Sequence, residues 1–401
     1  MNVEVFFEKI LKFRFKILYI LLCIPLLPYG VVSISIILYL FLSLAFLIKN
    51  VKFYQKSDVK EVIIQISYVV LLWMSIFYSN TDVGLTQITR TIPLLFFPII
   101  QLSPDSINKK DLNNYLFVFV LSTVMFCIIF SGFLLNQYGF EYVFNGSIVY
   151  HVIKSDKFFL DVHPIYSSLY IIVASLICLN KILLNKYVFL YSSFLIILFL
   201  SLVVLASKAG IVCYFFSMLI SLIINYKILK KYKYYIVVVL LSFLFLTFQS
   251  VTVINKFKAF FIFFNNDDLS LINSNTIRFE LIKCWYKLFK DNLIFGYGIG
   301  DVQSVFEKCL SEKSITEISG IHNNYFRLSL SGGIIVLVLF IYSMRSFIKQ
   351  LGFVKPVIPI FFTFLFLMFF EDILFRSYGI CFFAILIHLY QLYKKYNILH
   401  E

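Results

Sequence analysis

The chain has 401 residues, of which 61% are hydrophobic and 14% are charged, and its formal net charge is +14 at pH 7. This composition excludes a soluble globular protein, because such a protein cannot hide so much apolar surface from water. The positive charges lie mostly in short runs between long apolar segments. That arrangement is typical of a protein in contact with membrane lipids, and it argues against a nucleic-acid partner.

Apolar runs of about 17–25 residues are long enough to cross a bilayer as helices. The sequence therefore predicts an all-α, polytopic integral membrane protein with about twelve transmembrane helices, in one membrane domain over residues 1–401. The first apolar run follows a basic cluster, as in a signal peptide, but a second run follows at once and we expect no cleavage. The predicted spans are roughly 14–29, 31–48, 62–79, 84–102, 113–135, 164–180, 187–206, 209–226, 235–253, 322–344, 354–370 and 375–392.

Lysine and arginine are distributed unevenly over the segments that connect these spans. One side of the membrane receives the clusters at 9–16, 49–60, 109–110, 181–186, 227–233, 345–355 and 394–395. The short segments on the other side contain only Lys154, Lys157, Lys208 and Arg376. The positive-inside rule therefore predicts that both termini are cytoplasmic, and an even number of spans gives the same result.

Two of the outer segments, 136–163 and 254–321, are longer than a turn, and the second contains an amphipathic helix. In the stretch NTIRFELIKCWYKLFKDN, apolar side chains recur at helical spacing and lysines occupy the opposite face. The apolar stripe consists of Leu281, Ile282, Trp285, Leu288 and Phe289, and the opposite face carries Lys283, Lys287 and Lys290. We expect this helix to lie along the membrane surface.

Arg278 lies on the apolar stripe of that helix, one turn before Leu281. Either its side chain extends to lipid headgroups, or its guanidinium enters a cavity, where it suits bidentate contact with phosphate. The following stretch LIFGYGIGD is better explained as a tight turn back to the membrane than as a dinucleotide-binding motif. Cys284 and Cys309 are predicted on the oxidising side, so a disulfide between them is possible, and the sequence does not decide whether it forms.

Polar residues also lie within predicted spans or at their outer ends. Arg90 lies inside a span, where a charge costs about 2.5–3.5 kcal/mol and normally faces a cavity or a partner. Lys208, in LASKAG, has extension to the headgroups as an equally good explanation. His163 precedes Pro164 at a predicted helix start, where a histidine also has a structural explanation.

The stretch HNNYFRLSLSGG places His322 and two amides directly before an apolar helix. A histidine alone in this position is more often structural than catalytic. However, Lys208, Arg278 and His322 are all predicted at the outer surface. Cations with a titratable imidazole suit an anionic lipid-linked substrate and an acceptor hydroxyl that must lose its proton. Glu371, Asp372 and Arg376 have a simpler explanation, which is mutual pairing across a short outer turn.

These motifs resemble the O-antigen ligase/polymerase superfamily, membrane enzymes of bacterial surface-polysaccharide assembly. The resemblance rests on RFELIKCWYKLFKDNLIFGYGIGDVQSVF, on HNNYFRLSLSGG, on SKAG with lysine where arginine is commoner, and on HPIYSSLY. It covers nearly the whole chain. One departure is Val336, because a second small residue usually follows the motif glycine, here Gly333, by three positions.

The resemblance implies a metal-independent glycosyltransferase without a cofactor, in the bacterial inner membrane with its active site facing the periplasm. The donor would be a glycan linked to undecaprenyl diphosphate, and the acceptor lipid A-core for a ligase or a growing glycan for a polymerase. His322 would be the base or acceptor guide, and Arg278 and Lys208 would bind the diphosphate. Arg90, Asn323 and His163 are further candidates for substrate binding. A lipid-linked-oligosaccharide flippase is the rival of another class, although we find no repeated halves.

Overall fold

The computed structural model describes residues 3–49, 56–143, 163–226, 274–312, 320–352 and 357–400. Within these ranges the chain is helical and contains no strand, as expected of an all-α protein. The helices are α1 (Val3–Leu22), α2 (Tyr29–Lys49), α3 (Lys56–Met74), α4 (Thr81–Ile100), α5 (Lys109–Val143), α6 (Pro164–Leu183), α7 (Val188–Leu205), α8 (Lys208–Ile224), α9 (Ser274–Asp291), α10 (Val302–Ser311), α11 (Asn324–Leu351), α12 (Val357–Leu367) and α13 (Ser377–His400). Short 3-10 turns lie at Ile24–Leu26, Ser75–Tyr78 and Ile373–Phe375.

Seven of the described helices are long and apolar enough to cross a membrane: α2, α3 with the turn that follows it, α4, α5, α6, α7 and α11. Helices α8 and α12 are apolar but shorter. The architecture is that of a polytopic helical membrane protein, while the count of twelve spans stays a prediction. The predicted span 235–253 lies outside the described residues, as do 144–162, 254–273 and 313–319 of the predicted outer segments.

The first predicted span, 14–29, differs from the helix that forms there. Helix α1 ends at Leu22, and a short turn containing Pro25 separates it from α2. Proline lacks the backbone N–H that would continue the helical ladder, so the apolar run is divided. The basic residues predicted to precede the span lie within α1 itself.

Helices α6 and α13 lie at the centre of the bundle. The stretch Tyr166–Cys178 of α6 is buried throughout, and so are residues 379–392 of α13. Helix α6 packs against α7 and α8, α13 packs against α4, and α3 runs along α11. Protein therefore encloses these two stretches on all sides.

Contacts of basic side chains with carboxylates and backbone carbonyls mark one end of the bundle. Arg14 of α1 pairs with Asp105, which follows α4, at 2.5 Å. Lys349 of α11 pairs with Glu61 of α3 at 2.8 Å, and Lys395 of α13 donates to backbone carbonyls just after α4. These contacts join segments that the charge distribution assigns to a single side of the membrane. The orientation of these segments in the membrane stays a prediction.

Candidate active site at the end of the bundle opposite the basic contacts

The two asparagines of the HNN motif fasten the start of α11 to the chain that follows α12. The side chain of Asn323 caps α11 by accepting from the backbone N–H three residues later, at 3.0 Å. Its amide nitrogen donates to the carbonyl of Phe369 at 3.0 Å. Asn324 is fully buried and accepts from the backbone N–H of Leu374 at 2.8 Å. Both amides therefore hold His322 over the segment 368–376.

That segment carries two carboxylates, Glu371 and Asp372. Asp372 is the one that is paired with arginines. Its side chain is fully buried, forms an ion pair with Arg327 of α11, and lies 3.6 Å from Nε of Arg376. Burial opposes ionisation of Asp372, but the guanidiniums of Arg327 and Arg376 hold its pKa at about 2. Asp372 is therefore ionised at neutral pH. The expected pairing across this turn is confirmed for Asp372 and Arg376.

The second carboxylate, Glu371, lies against His322. Nδ1 of His322 is 3.3 Å and 3.4 Å from the two carboxylate oxygens of Glu371. The Glu371 side chain is 4% exposed and that of His322 is 39% exposed, so the ring covers the carboxylate while remaining accessible itself. The hydrogen bond with Glu371 raises the pKa of His322 in spite of burial, and burial raises the pKa of Glu371. Groups this close titrate as a pair.

The backbone around His322 is unusual for a residue that has a Cβ. His322 has a φ of 48°, in the left-handed region, and Gly320 has a φ of 144°. Surrounding contacts must hold such a conformation, because it is costly for histidine. A Cβ placed on Gly320 would lie 3.5 Å from Nε2 of His322 and 3.6 Å from Nη2 of Arg376. Nε2 therefore lies on the side of the ring that faces Gly320 and Arg376.

The glycine-rich stretch 293–300 fills a break in α11. The helix departs from helical geometry at Gly332 and Gly333. Three backbone hydrogen bonds join the two segments: Tyr297 N–H to Leu330 O (2.7 Å), Gly298 N–H to Ser331 O (2.9 Å) and Ile334 N–H to Leu293 O (2.9 Å). Backbone groups freed by a break within a membrane helix need such partners. The predicted turn therefore exists, and it also completes the broken helix.

Helix α9 confirms the predicted amphipathic helix and shows what its stripe contacts. The ring of Trp285 stacks on Phe326 of α11 with centroids 4.2 Å apart, and its Nε1 donates to Ser329 at 2.9 Å. A disulfide between Cys284 and Cys309 links α9 to α10, which answers the question left open by the sequence. Much of the stripe thus packs against protein, including the first turns of α11.

His163 and Lys208 lie at the starts of α6 and α8, which pack against each other. His163 caps α6 by accepting from Ile165 N–H at 3.4 Å, and its ring centroid is 6.0 Å from that of Tyr166. The charges of Glu371, Asp372 and Arg376 act on the Tyr166 hydroxyl. Lys208 is half-buried, and Gly210 two residues later is so close to Ser168 of α6 that a Cβ there would lie 2.4 Å from the serine oxygen. The start of α6 therefore lies between the SKAG turn and the carboxylates of Glu371 and Asp372.

Arg90 and Arg278 are placed less directly. Arg90 is half-buried in α4, which contacts the 373–375 turn, and its charge acts on Arg327 through space. Arg278 lies in the first turns of α9, but its side chain lies outside the described part of the chain. The structure thus associates four of the six predicted site residues with one end of the bundle, places Arg90 near the middle of α4, and leaves the contacts of Arg278 undescribed.

His322, Glu371 and Asp372 offer ligand atoms within 4.8 Å of one another, as a metal site would. A divalent cation there would lie beside Arg327 and Arg376, both of which already interact with Asp372. Since like charges repel strongly where burial weakens screening, the two guanidiniums would oppose a divalent cation at this position.

The sequence alone did not identify Arg327 or the contact between Glu371 and His322. Arg327 had a usable signal, because a charge inside a predicted span normally faces a partner. For Glu371 no such signal exists, since His322 is 49 residues away along the chain.

A bundle of apolar helices with an acid–base pair and arginines at one end has the features of a membrane protein with a polar functional site. The family model described as O-Antigen ligase matches residues 193–341, which include Lys208, Arg278 and His322. This match confirms the resemblance to the O-antigen ligase/polymerase superfamily, whose members are glycosyltransferase-like ligases and polymerases. A comparison with curated proteins gave no match.

Proposed function

We propose that the protein is an O-antigen ligase of the bacterial inner membrane, with both termini in the cytoplasm. It transfers a glycan from an undecaprenyl-diphosphate-linked donor to a hydroxyl of lipid A-core at the periplasmic face. The family match supports the reaction class. The observation that carries the proposal is the contact of His322 with buried Glu371, at an accessible position beside Arg376.

In the proposed reaction His322 accepts the proton of the acceptor hydroxyl. The acceptor oxygen forms a bond to the anomeric carbon of the donor glycan, and the bond from that carbon to the diphosphate breaks. Undecaprenyl diphosphate leaves with the bonding electrons, and His322 later releases its proton to water. Fixed cations stabilise the developing negative charge as preorganised electrostatics do, so the step needs no metal ion.

The cations assigned to the diphosphate are Arg278 and Lys208, with Arg90 and His163 as supporting contacts. Lys208 begins α8, which packs against α6, and this packing supports a place for its charge near the start of α6. Asn323 was predicted to bind substrate. The nitrogen and the oxygen of its side-chain amide both form hydrogen bonds with backbone groups, so in this proposal Asn323 acts by holding His322.

The test uses purified protein in vesicles that contain a labelled lipid-linked donor and lipid A-core. A ligase produces labelled lipid A-core. A polymerase, the alternative within the same superfamily, lengthens the donor without the acceptor, and a flippase moves label across the bilayer without a new glycosidic bond.

The variant that tests the role of His322 in this assay is His322→Ala. Loss of a general base typically lowers turnover by about 10²–10⁴-fold, so transfer per inserted protein should fall by that amount. Ser304→Ala, in α10 and exposed, is the matched control and should transfer normally. Near-normal transfer by His322→Ala would show that the histidine is structural.

A further inference from the structure

We infer that Glu371 is the positioning residue that orients the His322 ring, so that Nε2 is the nitrogen which takes the acceptor's proton. This inference rests on the proposed function, in which His322 is the base. Glu371 lies outside the motifs on which the family resemblance rests and beyond the matched residues 193–341.

The geometry assigns one ring nitrogen to Glu371 and leaves the other for chemistry. Both carboxylate oxygens of Glu371 lie within 3.4 Å of Nδ1. A carboxylate only accepts, so the neutral ring carries its proton on Nδ1 and donates it to Glu371. Nε2 then has a free lone pair, on the side that faces Gly320 and Arg376.

Glu371 also suits the charge that develops during the reaction. When Nε2 takes a proton, the ring becomes an imidazolium close to Arg376, which by itself would disfavour that state. The buried carboxylate of Glu371 compensates this charge where burial strengthens the interaction. Asp372 cannot replace it, because its oxygens already interact with Arg327 and Arg376.

The strained backbone of His322 is consistent with a ring held for function. A left-handed φ is costly in a residue other than glycine and persists where the surroundings impose it. Here the imposing contacts are the bonds of Asn323 and Asn324 to the 368–376 segment that carries Glu371. The histidine and its carboxylate are thus held at the same junction between α11 and α12.

The decisive variant is Glu371→Gln, which keeps the size of the side chain and removes its charge. We expect kcat to fall by about 10²–10⁴-fold, as when the orienting acid of a histidine base becomes an amide, with the KM for the donor nearly unchanged. Because the hydrogen bond with Glu371 raises the pKa of His322, the acid limb of the rate profile should move to lower pH. Glu371→Asp, which keeps the negative charge, should have a higher kcat than Glu371→Gln.

Two further measurements separate the inference from its premises. The rate at which diethyl pyrocarbonate modifies His322, corrected with His322→Ala, reports the protonation of the ring without requiring transfer. Its pH midpoint should be lower in Glu371→Gln than in the wild type. Transfer by the wild type should also survive EDTA, whereas loss of activity that Mg²⁺ restores would favour a metal held by His322, Glu371 and Asp372 and would overturn the inference.

The outcomes are distinguishable. If the wild type does not transfer glycan but the modification midpoint moves, the proposed function fails while the contact is real. If transfer occurs and neither the midpoint nor the acid limb moves in Glu371→Gln, Glu371 does not position His322. A fall in transfer that only parallels a fall in inserted protein would likewise reduce Glu371 to a structural role.

Discussion

The backbone of Gly333 passes so close to that of Ile294 that a Cβ on the glycine would lie 1.9 Å from the isoleucine carbonyl oxygen. Gly333 has a φ of 68°, in the region that favours glycine. This contact joins the break in α11 to the stretch after α9. The helix that starts at the HNN motif and the helix that carries Arg278 are therefore held in one arrangement.

Gly333→Ala should destabilise the protein, because it adds both backbone strain and a steric clash, each costing about 1–3 kcal/mol. The midpoint of thermal unfolding in detergent and the amount of inserted protein should both fall. Gly132→Ala is the matched control, since a Cβ on Gly132 meets nothing within 4 Å. Equal stability of the two variants would contradict the close contact.

The disulfide between Cys284 and Cys309 should stabilise the packing of α9 on α10. Replacing both cysteines by serine removes a cross-link that typically contributes about 2–4 kcal/mol, so the thermal midpoint should fall. Cys23→Ser, at a free and partly exposed cysteine, is the control and should change little. Labelling of both Cys284 and Cys309 by a thiol reagent in intact cells, without prior reduction, would show that the bridge does not form there.

Asp372→Asn should be among the most destabilising polar substitutions in the chain. It leaves the buried guanidinium of Arg327 without its charge partner, and breaking a buried ion pair in this way costs about 3–5 kcal/mol. The comparison is Glu312→Gln, whose partner Lys287 is 3.5 Å away and largely exposed, so its loss should be small. Thermal unfolding of both variants measures the difference, and a stable Asp372→Asn protein would contradict the structural role given to the pair.

Composition and hydrophobic length predicted the helices well, because each apolar run long enough to span a bilayer has few other folded states available. The ends were less accurate where local chemistry intervenes, as at Pro25. The helical start at Asn324 and the break at Gly333 depend on partners far along the chain. Hydrophobicity contains no information about those partners.

The candidate site could be predicted only in part, for the same reason. His322, Lys208 and His163 were identified as polar residues at the ends of apolar runs, which is a local property. Glu371 was interpreted as pairing with Asp372 and Arg376 across a short outer turn, because these are its charged neighbours in sequence. Its contact with His322 arises only when α11 and α12 pack together.

Topology can be tested independently of chemistry. A reporter fused after Lys395 should be cytoplasmic and one inserted near Ser311 should be periplasmic, because lysine and arginine concentrate on the side of the N-terminus. Lys395 bonds to backbone at the end of the bundle where Arg14 and Asp105 also lie, which supports one common side for these segments. Both reporters on the same side would overturn the predicted twelve spans.

The proposed diphosphate contacts predict an asymmetry between two conservative substitutions. Arg278→Lys should be severe, because a compact ammonium cannot reproduce the planar, bidentate contact of a guanidinium with a diphosphate. Lys208→Arg should be mild, since a second guanidinium keeps the charge at the start of α8, and the superfamily that the chain resembles commonly has arginine there. Transfer per inserted protein measures both.

Purely structural roles predict the reverse order of severity. Lysine at 278 would keep a solvated cation at a helix end. Arginine at 208 would have to fit beside the buried neighbours Ser207 and Ala209. A mild Arg278→Lys together with a severe Lys208→Arg would therefore rule out this assignment of the donor's diphosphate.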